Sequence, residues 1–416
     1  MSRIAVIGAG ISGLAAAYFL SRRHEVSLFE REERLGGHTR TVRVQRDGGA
    51  VALDTGFLVH NTRTYPNLVR LFAELEVETR DSDMSFSVTC PQTGFEYSSR
   101  GCLGFFAQAR NVINLDHVRL LRDIMRFNRE APGVLSAPAA SQSTLASYVR
   151  DHGYGDSFVA RYLVPMTSAI WSAPIETIQA FPIRTLLQFM QNHGMLSVGT
   201  QVIWRVVRGG SDSYVGGLIR PLGERIQCHA RLSGVVRGRS DVALLFEDQP
   251  PQRFDAVVLA CHGDQVLPLL ANPTAAEREV FGAFRTTAND TVLHTDERML
   301  PEAPRARASW NYLLGGRPEQ PPSVTYDLNR LQGISGPTQY CVTLNPTRPL
   351  AAGSVIGAYR YRHPQISHES VAAQARWREV SAGHRTHYCG AYWRYGFHED
   401  GLWSAMRVAD DLGAAW

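Results

Sequence analysis

The first thirty residues restrict the fold more than any other segment of this chain. Residues 3–7 form a short β-branched run, and the spacing of apolar residues over 11–21 predicts a helix. The turn Gly8-Ala9-Gly10-Ile11-Ser12-Gly13 separates them, and a second strand over Glu25–Phe29 leads to Glu30. This order of strand, glycine turn, helix, strand and acid predicts a complete βαβ unit of the Rossmann type.

Each glycine of the turn has a separate task in such a unit. Gly8 permits the tight turn, Gly10 lets the backbone approach a pyrophosphate, and Gly13 lets helix and strand pack closely. The amides and the positive dipole at the start of the helix favour phosphate, and the carboxylate of Glu30 would accept hydrogen bonds from ribose hydroxyls. A glycine hexapeptide alone also arises by chance in plain turns, so the evidence lies in its context. The residues predicted to bind the nucleotide are Gly8, Gly10, Ile11, Ser12, Gly13, Glu30 and Arg31.

The segment after Glu30 distinguishes between dinucleotides. It reads Arg31-Glu32-Glu33-Arg34-Leu35-Gly36-Gly37-His38-Thr39-Arg40-Thr41. This resembles the E-x(5)-G-G-x-x-x-T extension of the amine-oxidase and phytoene-desaturase superfamily of FAD enzymes; an exposed glycine hairpin is the alternative. The resemblance implies that FAD is the cofactor, bound non-covalently. It also implies that the backbone at the paired glycines lies against the FAD pyrophosphate and ribityl chain, with contacts from Gly36, Gly37, His38 and Thr39.

Three later segments resemble the same superfamily in the expected order. Residues 207–215 are similar to a glycine turn, 255–261 to a strand leading to the isoalloxazine ring, and 388–401 to a glycine-rich turn with a following helix. In the superfamily, this last turn and helix direct backbone amides at the flavin edge where negative charge develops on reduction. The resemblance implies further cofactor contacts at Asp54, Thr55, Gly56, Val235, Ala260, Gly390, Asp400, Gly401 and Leu402.

Within the superfamily, the sequence is most similar to a bacterial group of predicted NAD/FAD-binding proteins. These proteins also resemble the N-terminal flavin domain of plant cyclopropane fatty-acid synthases. The resemblance implies a lipid-like substrate, such as an unsaturated or cyclopropane fatty-acyl chain. The segments that carry it are Gly36-Gly37-His38, Asp54-Thr55-Gly56-Phe57, Ile170-Trp171-Ser172, 309–312, 325–332 and 396–401.

The chain departs from the superfamily at positions that bear on the reaction. Many amine oxidases have an arginine two residues after the ribose acid and another after the glycine pair, where this chain has Glu32 and His38. Arg34 is then a candidate for neutralising the pyrophosphate. Amine oxidases also commonly use a lysine to hold a water near flavin N5, and this sequence contains no lysine. Oxidation of amines with oxygen as acceptor is therefore a weaker prediction.

The spacing of the strand patterns predicts interwoven domains. Strands near residues 5, 28, 52, 258 and 388 are assigned to one sheet, so the stretches between them are insertions. The predicted fold class is α/β: a Rossmann-like FAD-binding domain, three-layered with a mostly parallel sheet, and a discontinuous mixed α+β substrate domain. The FAD-binding domain comprises 1–79, 208–285 and 379–416, and the substrate domain comprises 80–207 and 286–378.

Composition argues against several other functions. The net charge of +4 comes from basic residues that are scattered rather than clustered in the stripe that nucleic acid requires, so no nucleic-acid partner is predicted. The spacing of the cysteines and of the histidine-rich end, His384 to Glu399, matches no recognised zinc pattern, so no metal is predicted. With no leader pattern and no apolar run near 18 residues, we expect a cytoplasmic protein without a membrane span. Peripheral contact with a membrane stays open.

Aromatic residues outside the nucleotide segments are candidates for a substrate pocket, although core packing is the alternative for each. The aromatic candidates are Trp171, Trp310, Tyr326, Tyr392 and Tyr395, and Gln332 is a further candidate. No catalytic acid or base is assigned.

Since no second glycine fingerprint is present, a built-in NAD(P)H domain is not expected. The leading prediction is an FAD-dependent oxidoreductase acting on a largely apolar small molecule. The alternatives are a flavin-dependent amine oxidase and a redox-neutral FAD-binding isomerase or partner of a lipid-modifying enzyme.

Overall fold

A parallel sheet forms the nucleotide-binding half of the protein. The structure is a computed structural model that describes residues 1–46, 48–136, 142–196 and 202–416. The central strand β1 (Arg3–Ile7) lies between β2 (Glu25–Phe29) and β14 (Ala256–Leu259), with β10 (Ile226–Gln227) and β20 (Thr386–Tyr388) at the edges, all parallel. Because parallel strands end at the same edge, this edge collects the turns that follow them. The predicted Rossmann-like α/β fold is confirmed.

Further layers cover this sheet. Helices α1 (Ile11–Leu20) and α16 (His398–Asp411) pack against each other on it. A β-meander packs on it through Phe246 and Phe254, whose rings lie 5.4 and 5.8 Å from that of Phe29. The meander strands are β11 (Leu232–Arg237), β12 (Val242–Phe246) and β13 (Gln252–Phe254).

One strand prediction needs correction. The predicted strand near residue 52 exists as β4 (Gly49–Asp54), but it pairs antiparallel with β3 (Thr41–Arg46) in a separate ribbon. The physical reason lies in burial: both strands keep several side chains exposed, whereas the inner strands of a parallel sheet are covered on both faces. The short strand β10, which the sequence did not indicate, takes the place beside β2.

A mixed sheet carries the second half of the protein. Its strands are β7 (Phe86–Cys90), β8 (Phe95–Ser98), β15 (Arg285–His294), β16 (Trp310–Leu313), β17 (Ser323–Asp327), β18 (Cys341–Leu344) and β19 (Val355–Gln365). Their order is β19-β15-β18-β17-β16-β7-β8, and the pairs are antiparallel except for β16 with β7. Strands from residues 86–98 and from 285–365 share this sheet, as a discontinuous domain requires. The exact domain boundaries stay a prediction.

The predicted helix over 157–170 is present but interrupted. Helix α6 (Asp156–Phe158) passes into a π-helical turn at Val159–Leu163 before α7 (Val164–Trp171) begins. Pro165 accounts for the interruption, because proline has no amide hydrogen to donate and its ring clashes with the carbonyl four residues earlier. The predicted helix over 368–380 is likewise divided, into α14 (His368–Ala375) and α15 (Trp377–Val380).

The remaining elements are short, apart from one long helix. A small antiparallel sheet has β9 (Trp204–Val207) between β5 (His60–Asn61) and β6 (Thr79–Ser82). Across the part of the chain that the structure describes, no helix is long and apolar enough to cross a membrane. The other helices are α2 (Pro66–Glu74), α3 (Gly101–Phe105), α4 (Leu115–Leu135), α5 (Leu145–Asp151), α8 (Ile175–Gln179), α9 (Ile183–Asn192), α10 (Ser213–Ile219), α11 (Gly263–Leu269), α12 (Ala275–Gly282) and α13 (Leu328–Leu331).

Replacing Gly13 by alanine tests the packing of the first turn. A Cβ atom there would lie 1.8 Å from the Gly8 carbonyl oxygen, so backbone must move. We expect Gly13→Ala to lower the free energy of unfolding by about 3 kcal/mol or more. The matched control is Gly216→Ala in α10, where a Cβ meets no atom within 4 Å; we expect it to stabilise by up to about 1 kcal/mol. Urea denaturation followed by tryptophan fluorescence measures both, and equal midpoints would contradict the packing.

Candidate cofactor and substrate site

Two glycine turns meet at the carboxyl edge of the parallel sheet. The Gly36 amide donates to the Ala9 carbonyl at 2.8 Å, and a Cβ on Gly37 would lie 2.9 Å from the Cα of Gly10. Gly37 has φ +56°, which favours glycine as well. A Cβ on Gly10 meets nothing within 4 Å. The turns therefore pack backbone to backbone and leave open space over Gly10, at the start of α1.

Glu30 faces this space in a defined orientation. Its Oε2 accepts from the Ala9 amide at 2.7 Å, and its Oε1 accepts from the Glu32 amide at 2.9 Å. Glu30 follows directly after β2, so the end of the strand places the carboxylate beside the first glycine turn. The remaining acceptor positions of the carboxylate are available to a bound ribose.

Arg34 has a different role from the neutralisation of the pyrophosphate that the sequence suggested. Its Nη1 donates to the carbonyls of Leu35 and Thr39 at 3.0 and 2.7 Å, and its Nη2 donates to the carbonyl of Gly37. Burial lowers the pKa of Arg34 from its usual value. Its guanidinium thus holds the Gly-Gly turn in shape. Although Arg34 lines the cavity, most of its donors are already used, which leaves few for a pyrophosphate.

His38 belongs to a cluster of rings that sequence reasoning missed. Its ring centroid lies 5.0 Å from that of Tyr361, 5.3 Å from His363 and 5.9 Å from His262. Burial lowers the pKa of all three histidines, that of His363 to about 4, so they are neutral at physiological pH. The Nε2 of His38 is buried and has no hydrogen-bond partner among the described residues. In the sequence, one feature indicates that His262 lies at the site, namely its position shortly after β14.

A network of side chains supports these turns from behind. Thr39 Oγ1 lies within hydrogen-bonding distance of the Tyr214 hydroxyl and 2.9 Å from His398 Nε2. The His398 ring stacks on Phe57 with centroids 3.7 Å apart. Burial lowers the pKa of His398 to about 3. Thr39 and His398 therefore connect the Gly-Gly turn to the first residue of α16.

Asp54 is buried and ties several segments together. Its Oδ1 accepts from the Thr41 hydroxyl at 2.6 Å and from the amide and hydroxyl of Ser211 at 2.8 and 2.9 Å. Gln332 donates to Oδ2 at 3.1 Å and accepts from the Asp54 amide at 3.0 Å. Burial raises the pKa of Asp54 to about 6. Thr55 next to it pairs with the Tyr361 hydroxyl at 2.7 Å.

The turn before α16 is built on close contacts. The Gly390 amide donates to the Ser404 hydroxyl at 2.8 Å, and a Cβ on Gly401 would lie 2.7 Å from the Oγ of Ser12. Asp400 Oδ2 accepts from the Phe397 amide at 2.9 Å, which caps the helix, and burial raises the pKa of Asp400 to about 7. Gly401 thus lets α16 pack on α1 and keeps its N-terminus at the glycine turns.

A cavity of about 2070 Å³ runs from the glycine turns into the second half of the protein. It brings together eleven of the predicted cofactor residues: Gly8, Gly10, Ile11, Ser12, Glu30, Arg31, Gly37, His38, Gly56, Ala260 and Gly390. The cavity wall formed by the described residues does not include the other nine, Gly13, Gly36, Thr39, Asp54, Thr55, Val235, Asp400, Gly401 and Leu402. The contacts above show Gly13, Gly36, Thr39, Asp54, Asp400 and Gly401 supporting the turns; Val235, Thr55 and Leu402 stay predictions.

The predicted substrate residues likewise divide into those that line the cavity and one that lies behind its wall. Five of them line the cavity, namely Trp171, Trp310, Tyr326, Tyr392 and Tyr395. Gln332 lies instead behind the wall, bonded to Asp54. The Trp171 Nε1 donates to the Tyr395 carbonyl at 3.0 Å, and the Trp310 and Tyr326 rings meet edge to face at 5.1 Å. The pocket aromatics therefore come from the mixed sheet, the helices before it and the turn before α16.

The residues present fit FAD. The open space over Gly10, the oriented Glu30 carboxylate and the amides at the start of α1 match a pyrophosphate and its ribose. The cavity is about twice the upper end of the 300–1,000 Å³ range of small-molecule sites, so it has room for a cofactor and a substrate together. Burial raises the pKa of Cys261 on the cavity wall to about 12, which keeps this thiol protonated. Non-covalent binding stays a prediction.

Replacing Glu30 by alanine tests the nucleotide end. The variant loses the carboxylate that would bind ribose, and a charged hydrogen bond contributes about 1.5–3 kcal/mol. We expect the FAD dissociation constant to rise by about tenfold to a hundredfold, measured by titrating the apoprotein and following quenching of flavin fluorescence. Glu224→Ala, at an exposed position outside the cavity wall, is the control. Equal affinities of both variants would show that Glu30 does not contact the cofactor.

Comparisons with known proteins agree with this geometry. The family described as flavin containing amine oxidoreductase matches residues 11–378. An L-amino-acid oxidase of Pseudechis australis is 39% identical over 83 residues, which are 20% of this chain and only 16% of that protein's length. An L-amino acid oxidase of Bothrops pictus is 45% identical over 47 residues, 11% of this chain and 9% of that protein.

Solved structures share the fold over the whole chain. Putrescine oxidase bound to putrescine aligns with a TM-score of 0.69 at 14% identity, over 99% of both chains. A CLA-producing fatty acid isomerase from P. acnes aligns with a TM-score of 0.69 at 14% identity, over 99% of this chain and 98% of that one. Cyclohexylamine oxidase from Brevibacterium oxydans has a TM-score of 0.68 at 13% identity, over 99% of both. The chain belongs to the flavin containing amine oxidoreductase family, and its cofactor is FAD.

Proposed function

We propose that this protein is an FAD-dependent oxidoreductase that acts on a long apolar substrate, an unsaturated or cyclopropane fatty-acyl chain. The observation that supports this most is a set of large apolar and aromatic side chains on the cavity wall, which we call the apolar arm. All of them belong to the hydrophobic core of the second half of the protein or pack against it. They are Leu58, Tyr162, Met166, Ile170, Phe189 and Met195.

The apolar arm is suited to an acyl chain because it would exclude water from a flexible hydrocarbon. Phe189 lies 4.8 Å from Trp171, whose indole is bonded to the Tyr395 carbonyl, so the arm is continuous with the turn before α16. Burying one CH₂ group contributes about 0.8 kcal/mol, so burial of a chain of several carbons supplies most of its binding. Bound FAD supplies the hydride chemistry in this reaction.

Proton handling falls to weak bases in this site. The sequence has no lysine, and the neutral His38, His262 and His363 form one group of weak bases on the cavity wall. His363 is oriented by Asn289, which lies 2.9 Å from its Nδ1. Neutral imidazoles can accept a proton or a hydrogen bond but carry no charge to repel or hold an ion. This arrangement suits a C–H substrate that needs little acid–base help.

An amine substrate is less well supported, although two of the structural neighbours are named as amine oxidases. Asp83 on the cavity wall accepts from the hydroxyls of Ser85 and Ser309. Asp264, also on the wall, accepts from Arg362 and Thr286 through Oδ2, while its buried Oδ1 has no hydrogen-bond partner among the described residues. Because the Arg362 guanidinium 2.8 Å away already balances the charge of Asp264, an ammonium group would rely more on aromatic faces such as those of the Trp310 and Tyr326 pair.

A redox-neutral isomerisation of an acyl chain is the second candidate. It is favoured by the likeness to the fatty acid isomerase, which has the same TM-score as putrescine oxidase. The apolar arm fits either outcome, since both reactions place an acyl chain beside the cofactor. The two differ in net electron transfer: oxidation leaves the flavin reduced in the absence of an acceptor, whereas isomerisation returns it to the oxidised state.

Two arginines offer a place for the polar end of such a chain. Arg80 and Arg330 both line the cavity. The Nε of Arg330 is buried without a hydrogen-bond partner, and its contact with Asp327 is a long 3.8 Å. Within the described residues, the Arg80 guanidinium has no hydrogen bond or ion pair; it lies against Gly333, where a Cβ would be 2.8 Å from its Nη2. Guanidinium groups with free donors bind carboxylates well.

An anaerobic screen tests the proposed reaction. We expect medium-to-long unsaturated or cyclopropane acyl compounds to bleach the visible absorption of the flavin, while primary amines and polyamines leave it unchanged. Product analysis by mass spectrometry distinguishes the isomerase: a rearranged acyl product with an oxidised flavin would assign the redox-neutral reaction. Rapid bleaching by an amine, with none by any acyl compound, would replace the proposal with amine oxidation.

The arginines are tested with ligands that differ only in their polar end. Binding of a fatty acid and of the alcohol of the same chain length is followed by the shift in the flavin spectrum. We expect Arg80→Gln and Arg330→Gln each to weaken binding of the acid by about tenfold or more and to leave the alcohol nearly unchanged. Arg220→Gln is the control, since Arg220 is exposed and lies outside the cavity wall. Equal losses for acid and alcohol would show that these arginines only maintain the pocket.

A further inference from the structure

An exposed apolar surface lies on the segment between α3 and the middle of α4. Six large apolar side chains in this segment are between 45% and 84% exposed, and they account for more than half of the exposed large apolar residues of the described chain. We call this surface the apolar face. Soluble monomers rarely concentrate such residues, and a contiguous patch marks a contact site. The residues are Leu103, Val112, Ile113, Leu115, Val118 and Met125.

The geometry of α4 presents part of this face as one stripe. Leu115, Val118 and Met125 recur at intervals of three and seven residues, which places them on one side of a helix. The core of the protein takes the opposite side, where Leu120 and Phe127 are fully buried. The outward stripe therefore does not serve the packing of the protein itself.

Basic residues surround the apolar face. Residues 100–130 contain six arginines and three acidic residues, an excess of three positive charges in a chain whose net charge is +4. Arg122 and Arg129 follow the same side of α4 as the apolar stripe, at helical spacing. Each of the three acids pairs with an arginine of the segment, Asp116 with Arg119, Asp123 with Arg122 and Glu130 with Arg126, so the excess positive charge equals that of the three remaining arginines, Arg100, Arg110 and Arg129. The surface thus combines exposed apolar groups with positive charge.

The apolar face adjoins an opening of the cavity. Ser99, Arg100 and Gly101 are exposed and also line the cavity, and α3 with Leu103 begins at Gly101. The cavity therefore reaches the protein surface at the edge of the apolar face. Ile203, a further exposed apolar side chain, also lines the cavity. A molecule held at this face would therefore lie close to an opening of the cavity.

We propose that the apolar face docks this protein on the surface of an anionic lipid bilayer, with the cavity mouth at the membrane. Apolar side chains enter the boundary between headgroups and acyl chains, and the arginines pair with anionic headgroups. This binding is peripheral and needs no membrane-spanning helix. It goes beyond the proposed reaction, since it concerns where the protein works and not which bond it changes.

The charge of the face favours a bilayer over a second copy of the chain. A two-fold contact places the same surface on both sides, so the positive excess would meet itself. An anionic bilayer complements the same charge, each arginine near the surface contributing about fivefold in affinity. Arg110 extends the positive charge to the loop before α4.

Vesicle flotation with the FAD-loaded full chain tests the proposal. We expect the protein to float with vesicles of phosphatidylcholine and phosphatidylglycerol, to bind phosphatidylcholine alone much more weakly, and to dissociate as ionic strength rises. The variant Ile113→Ser with Leu115→Ser should lower the partition by at least about tenfold. Arg122→Gln with Arg129→Gln should lower it for anionic vesicles alone. The control is Val355→Ser, which removes an exposed apolar side chain from β19 outside the face.

The flavin spectrum and the melting temperature of each variant show whether it is folded. Vesicle binding that is absent in the wild type, or equal in the wild type and the folded variants, would overturn the proposal. Sedimentation velocity tests the competing occupant: a dimer that the Ile113 and Leu115 changes dissociate, without vesicle binding, would assign the face to a second copy of the chain.

Discussion

Backbone packs directly on backbone where Gly37 meets Gly10, and the arrangement of the site depends on this contact. Any side chain at either place would separate the two turns or fill the space above them. The contact brings the segment after β2 back over the end of β1. Glu30, the start of α1 and His38 therefore line the same cavity. Arg34 then stabilises the second turn by donating to its carbonyls. The nucleotide end is therefore built mainly from main-chain atoms.

Buried carboxylates connect this end to the rest of the molecule. Asp54 joins the ribbon of β3 and β4 to the turn at Ser211 and to Gln332 after α13. Glu399 accepts from the amides of Asn67 and Leu68 and so caps α2 from the start of α16. Burial raises the pKa of both acids, and the hydrogen bonds offset part of that cost. These residues act by holding segments together behind the cavity wall.

The cavity has a polar region and an apolar one, and the proposals follow from that division. Main-chain amides, Glu30 and the neutral histidines surround the region of the glycine turns, whereas the apolar arm is hydrocarbon and aromatic surface. A substrate that fills the arm is poorly soluble in water, and the apolar face beside the mouth offers it a route from a membrane. The reaction and the docking surface thus concern the same kind of molecule but rest on separate residues.

The sequence by itself determined the βαβ unit, the glycine turns and the family. These depend on neighbours along the chain: Gly8, Gly13 and Glu30 are placed by strand and helix lengths that local spacing reveals. Tertiary structure alone decided which other residues meet. The histidine cluster brings together His38, His262 and His363 from distant segments, and Gln332, a predicted substrate residue, lies behind the wall instead. The strand near residue 52 left the parallel sheet because burial on both faces depends on what packs around a strand. Periodicity also could not show which side of α4 faces the core, since apolar residues occupy both sides of it.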